Sequence, residues 1–246
     1  MAYLPAAVIV LVCADIEWEI VRRLFADSVL QQSCCGEWFT TDIVGEGAAQ
    51  EVVFFHTGWG KTAAASSVQY VIDHWAPSLL INIGTCGGLE GRVEPGTLIL
   101  AQRTLMYDIH AQIGSNLQAL EMYTTAIDLA WVAEDLLPDA KRALIVSADR
   151  DIAASDVHWL TVQFDASVGD WESAAIAFVA RRNDTACLIF RGVTDLVGTQ
   201  GGEAYNGDFQ FFADNASQVL ITIVRLLPRL IYRWRIQSVD RRKDVR

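Results

Sequence analysis

Three carboxylates stand where apolar runs give way to turns or helix starts: Glu17 in CADIEWE, Glu172 in GDWESAAIAFVARR and Asp195 in RGVTDLVG. Two glycine-rich turns accompany them, TGWGKTAAA after Glu51–His56 and INIGTCGG after Leu79–Ile83. Glycine permits positive φ and lets the backbone approach a partner closely. Acids at several strand ends beside such turns suit acid–base chemistry on a polar small molecule. Each residue also has a plainer reading. Glu17 and Glu172 could be solvated carboxylates at helix starts. Asp195 could equally be a helix cap, and composition leaves both readings open. GWGK could be half an anion site, but it lacks the full P-loop spacing.

The elements that must position these residues follow from the hydrophobic pattern. Strands are expected at Ala7–Val12, Thr41–Val44, Glu51–His56, Leu79–Ile83, Thr97–Met106, Arg142–Ala148, Ala166–Gly169 and Cys187–Val193. Helices are expected at Glu17–Phe25, Thr62–Trp75, Thr125–Leu137, Glu172–Arg182 and Phe209–Arg233, the last with a possible break at Pro228. Continuous apolar strands separated by helices predict one α/β domain with a central, mostly parallel mixed sheet flanked by helices. In such sheets ligands bind beyond the carboxyl ends of strands. That domain is expected over residues 1–235, with a basic tail at 236–246.

With 52% hydrophobic and 20% charged residues the chain can bury a sizeable core. No apolar run reaches the roughly 18 residues of a membrane span. Leu4–Ala14 is short, lacks a preceding basic residue and reads as a first core strand rather than a signal peptide. The net charge of −11 is unevenly spread: residues 225–246 sum to +6 and the rest to −17. So acidic a body is a poor nucleic-acid binder, and the basic end reads as a solvated terminus. The five cysteines form no CxxC pair, and a reducing cytoplasm is the expected setting. The four histidines show no metal-ligand spacing, so neither metal nor cofactor is expected. Trp59, Trp75 and Trp159 are candidates for an interface or a partly buried core.

The motifs, taken in order, resemble the nucleoside phosphorylase/nucleosidase superfamily, and most closely its 5′-methylthioadenosine/S-adenosylhomocysteine nucleosidases. The resemblance is carried by CADIEWE, HTGWGKTAAA, INIGTCGGL with EPGTLILA, YD at 107–108, IVSAD at 145–149, DWESAAIA and RGVTDLVG, over about residues 7–200. It implies a purine nucleoside as substrate, cleaved at its glycosidic bond without metal, and commonly a homodimer. It also implies residue roles. Thr85, Cys86 and Gly87 match pocket positions near ribose and base, and Ile152, Trp171 and Thr194 match positions around them. Glu172 matches the glutamate that binds ribose hydroxyls, Asp195 the acid at purine N7, and Glu17 the residue that positions water.

Trp171 and Thr194 depart from the methionine and serine usual at their positions, and Asp151 stands where an aromatic residue is usual. Those departures bear on which nucleoside fits. A phosphorylase of the same superfamily and a non-catalytic nucleoside-binding protein are the competing readings. Asn82 stands near the place of the phosphorylases' arginine, whereas Lys61 could serve an anion.

Overall fold

The run Val8–Val12 is buried at every position, as a strand covered on both faces must be. In the computed structural model, which describes residues 8–45, 49–206 and 209–244, it is the first strand of an α/β fold. The chain runs β1 (Val8–Val12), α1 (Asp15–Leu24), β2 (Gln31–Ser33), β3 (Gly36–Ile43), β4 (Gln50–His56), α2 (Lys61–Trp75), β5 (Leu79–Leu89), β6 (Leu98–Met106), α3 (Asn116–Met122), β7 (Thr124–Ala126), β8 (Ala140–Ser147), α4 (Ala154–Phe164), β9 (Ala166–Asp170), α5 (Ser173–Arg182), β10 (Cys187–Gly198), β11 (Gly201–Gly202), a 3-10 turn (Glu203–Asn206) and α6 (Phe209–Asp244).

The strands join one mixed sheet in the order β11-β10-β6-β8-β9-β5-β1-β4-β3-β2, with β7 on β6. Its parallel runs are β4-β1-β5-β10 and β6-β8-β9. Antiparallel pairings β10–β6 and β5–β9 join the two runs, so five strands close into a ring. Successive strand residues point to opposite faces. Val8, Val10 and Val12 accordingly pack with Trp18 and with Leu220, Ile223 and Leu227 of α6. Ile9 and Leu11 face the other way, toward Val68 and Val71 of α2 and Ile176 of α5. The expected single α/β domain with a central mixed sheet is what forms. No helix among the described residues is long and apolar enough to cross a membrane.

Several element expectations need correction. The glycine cluster after Ile83 is not a turn, because β5 runs on to Leu89, paired with β10 on one side and β9 on the other. β10 likewise continues to Gly198, so Asp195 lies within a strand rather than after one. The expected helix at Thr125–Leu137 does not form. Thr124–Ala126 pairs with β6, and Asp128 Oδ1 accepts from the Ala130 N–H in a turn beyond it. Leu129, Trp131, Val132 and Leu137 still reach the core, which is why their spacing imitated a helix. α3 and α4, short and rich in polar residues, had no expected counterpart.

α6 passes through Pro228 and on to Asp244, so the tail expected from residue 236 begins inside a helix. Leu220, Ile223 and Leu227 before the proline, and Leu230, Ile231 and Trp234 after it, are buried in the same cluster and hold both halves of the helix to the sheet. Ala7 and residues 207–208 of the GGEAYNGD segment lie outside the described residues.

Candidate active site

Glu17 sits in the first turn of α1, three residues beyond the N-cap Ala14, and is 2% exposed. Its Oε2 accepts from the Ala14 N–H at 3.4 Å, a capping bond of the expected plain kind. Its Oε1 turns inward and accepts from the Thr85 N–H at 2.6 Å and the Thr85 hydroxyl at 2.8 Å. The glycine at position 84 permits this approach. A Cβ there would overlap the Arg191 guanidinium and lie 2.8 Å from both Glu17 carboxylate oxygens. Gly84, in the middle of β5, therefore serves proximity between β5, α1 and β10.

Arg191 is the cation at the centre, 1% exposed within the apolar strand β10. A buried charge must be paired. Its Nε lies 3.0 Å from Asp170 Oδ2 and donates to Ser173 Oγ at 3.1 Å, and its Nη2 donates to Asn82 Oδ1 at 2.7 Å. Burial pulls the guanidinium's pKa down, but Asp170 above all, with Glu17 and Glu172, drives it above its usual value and keeps it charged. Asp170 is held in turn by Ser147 Oγ–H at 2.5 Å and the Ser173 N–H at 3.2 Å. Arg191→Met would leave Asp170 buried and unpaired. It should cost about 3–5 kcal/mol of folding stability, read as a lower urea midpoint at unchanged slope. A loss below about 1 kcal/mol would contradict this view of the pair.

Glu172, the N-cap residue of α5, is 5% exposed. Its Oε1 accepts from the Gly60 N–H at 3.0 Å, and its Oε2 lies 3.9 Å from Arg191 Nη2. Burial, with the like charge of Asp170 second, raises its pKa, against opposing pulls from Arg191 and the Gly60 N–H. Gly60 has φ 88°, which its lack of a side chain permits, and this aims the N–H at Glu172. Next to it, Lys61 Nζ is paired with Asp108 and lies 3.8 Å from Asp149, while the Lys61 N–H donates to Asp149 Oδ1 at 2.7 Å. The cation and N–H groups at GWGK, readable as half an anion site, are thus engaged by this chain's own carboxylates.

Asp195 lies at a register shift in the β5–β10 ladder, between Val193 opposite Cys86 and Asp195 opposite Gly87. A bulge re-aims a side chain locally. Here it brings Asp195 Oδ2 within 3.9 Å of where a Cβ on Gly87 would sit. Asp195 is 5% exposed, and burial raises its pKa. The Thr194 hydroxyl, donating to Oδ1 at 2.6 Å, pulls the other way, and Glu203 and Asp151 add to the rise. The Thr194 carbonyl is tied to α6 through the Asn215 amide at 2.8 Å.

The residues singled out from sequence thus divide into two linked groups. Glu17, Thr85 and Glu172 gather around Arg191, while Cys86, Gly87, Thr194 and Asp195 lie further along the same two strands. Ile152 is buried against Gly169, where an added Cβ would meet its Cδ1 at 2.6 Å. Trp171 is half-buried and packs on Trp59, ring centroids 4.5 Å apart. Trp59 is 64% exposed, whereas Trp75 and Trp159 are half-buried against aromatic neighbours.

Sequence reasoning missed Arg191, Asp170 and Ser147. Their signal was an arginine inside the apolar run CLIFRGV and a second acid two residues before Glu172. Two cavities, of about 300 Å³ beside Trp131 and Trp234 and about 270 Å³ between β10 and α6, are not lined by the three carboxylates, although the second is lined by Val193 and Thr194, next to Asp195.

The chain as a whole is similar to known proteins. The 5′-methylthioadenosine/S-adenosylhomocysteine nucleosidase of Tolumonas auensis is 23% identical over 195 residues, covering 74% of this chain and 85% of its own. The solved structure of the S. pneumoniae enzyme of that name, with a transition-state inhibitor, matches with a TM-score of 0.72 at 20% identity, covering 91% of this chain and 99% of its own. Futalosine hydrolase of Helicobacter pylori strain 26695 matches with a TM-score of 0.72 at 15% identity, covering 92% and 97%. At such identities the two structures establish a shared fold. Residues 33–227 match the sequence profile of the Phosphorylase superfamily, and this chain belongs to that family.

Proposed function

We propose that the protein hydrolyses the N-glycosidic bond of a purine nucleoside, 5′-methylthioadenosine foremost with S-adenosylhomocysteine beside it, and releases adenine. The observation that carries this reading is the charge balance of the buried cluster: Glu17, Glu172 and Asp170 surround the single cation Arg191, and Glu17 with Asp170 outnumbers it even where Glu172, whose pKa burial raises, holds its proton. Breaking the bond between C1′ and the base builds positive charge on the sugar, and surplus carboxylate stabilises it. The names of the relatives support the same substrate class.

In this reading Glu172 accepts hydrogen bonds from the ribose hydroxyls. Asp195, whose pKa burial raises toward the protonated form, donates a proton to purine N7 as the C1′–N9 bond breaks. Glu17, held by Thr85 and Ala14, orients the water whose oxygen bonds C1′ and takes up its proton. Thr85, Cys86, Gly87, Ile152, Trp171 and Thr194 bound the nucleoside, and the Trp171–Trp59 pair lies beside Glu172. Phosphorolysis is disfavoured. A phosphate dianion would need a free cation, yet Arg191 and Lys61 are both engaged by carboxylates.

The reading also has the protein acting in the cytoplasm, in methionine salvage, as a homodimer. Free thiols at all five cysteines suit a reducing compartment, and exposed Trp59, Ile113, Leu117 and Met122 suit an interface. The division into residues 1–235 and a basic end at 236–246 belongs to the same proposal. The test is adenine release from a panel of purine nucleosides differing at the 5′ position. Methylthioadenosine should turn over fastest, and no base release from any member of the panel would overturn the reading.

A further inference from the structure

Cys34 and Cys35 form the two-residue turn between β2 and β3, with their sulfurs 3.6 Å apart. Cys34 is exposed and Cys35 half-buried. The turn is fixed on several sides. Ser33 Oγ donates to the Gly36 carbonyl at 2.6 Å and accepts from the Cys35 N–H at 3.2 Å. Ser67 Oγ of α2, 2.7 Å from the Cys35 carbonyl and 2.8 Å from that of Thr57, ties the turn to the protein's body. Gly36 packs so closely on the His56 carbonyl that a Cβ there would overlap it. Little freedom therefore remains to be lost when both sulfurs bind one centre.

We propose that Cys34 and Cys35 are a dithiol modification site for soft electrophiles that bond two thiolates at one centre, the trivalent organoarsenicals being the class that fits. Soft centres select thiolates. A tetrahedral zinc site needs four protein ligands, and among the described residues no group of three or more His, Cys, Asp or Glu could hold a metal. An organoarsenical brings its third bond with it and needs two sulfurs only. In the step, both S–H bonds break, two As–S bonds form, and the arsenic-bound oxygen leaves with both protons as water. Arsenic stays trivalent. Cys13 and Cys86 are buried, and burial holds the Cys187 thiol up at about 12; the Cys35 thiol is also raised, by burial and by Cys34 beside it, so what favours the turn is its two sulfurs side by side. The site is independent of the proposed nucleoside chemistry.

The test treats the reduced full chain with phenylarsine oxide, then challenges it with excess glutathione, a monothiol, and follows intact mass. Wild type should keep one adduct, lose it to a dithiol such as dimercaptopropanol, and carry it on tryptic fragment 24–61, whose only cysteines are Cys34 and Cys35. Cys34→Ser and Cys35→Ser should each lose the adduct to glutathione at least about a hundredfold more readily, the gain that linking two contacts gives. Cys34 is exposed, so its variant decides the matter even if Cys35→Ser folds poorly. An adduct retained by Cys34→Ser, carried on another fragment, or stripped from wild type by glutathione would overturn the proposal.

Discussion

Asp195→Asn is expected to lower turnover of methylthioadenosine by about 10²–10⁴-fold, or about 3–5 kcal/mol of barrier. Asparagine keeps the size of the side chain and an oxygen for the Thr194 hydroxyl, which now donates to Oδ1 at 2.6 Å. What it removes is the transferable proton. The fold should persist, because the amide relieves a buried acid whose pKa burial has raised. The pH profile gives a second readout. A raised pKa keeps the acid protonated to higher pH, so wild-type activity should fall as pH rises through it. That alkaline limb should vanish from the residual activity of the variant. Near wild-type turnover by folded Asp195→Asn would remove Asp195 from the mechanism.

Glu17→Gln should have an effect of similar size, again about 10²–10⁴-fold, but confined to kcat. Glutamine can offer one oxygen to the Thr85 N–H and hydroxyl, so the link between α1 and β5 survives. It cannot take a proton from water. Because Glu17 is assigned to the water and not to the nucleoside, KM should stay within about twofold while kcat collapses. Steady-state kinetics on the purified variant separates the cases. A raised KM with kcat intact would make Glu17 a binding residue and leave the water without its base.

How much of this was legible in the sequence depends on the kind of signal. Strands buried on both faces, such as Val8–Val12, announce themselves by unbroken apolar runs, and the eight longer strands followed in order, whereas the short β2, β7 and β11 and the helices α3 and α4 did not. The three carboxylates were legible because acids interrupt those runs. Less legible was where a strand ends. Gly84, Gly87 and Gly88 look like a turn locally, yet pairing with β10 keeps β5 extended to Leu89. The bulge before Asp195 is likewise a property of two strands together. Leu129, Trp131 and Val132 carry helical spacing without a helix because tertiary burial, not local propensity, selects them. The Arg191 network was hidden for a related reason. Its partners come from β5, β9 and α5, so no single window of sequence contains it.

The central claim is that water, and not phosphate, attacks the sugar in a pocket of surplus carboxylate. Product analysis with methylthioadenosine, run in phosphate and in phosphate-free buffer, tests it most directly. The account predicts adenine and free 5-methylthioribose, formed at the same rate in both buffers. A methylthioribose 1-phosphate product, with turnover that requires phosphate, would contradict it and make the protein a phosphorylase.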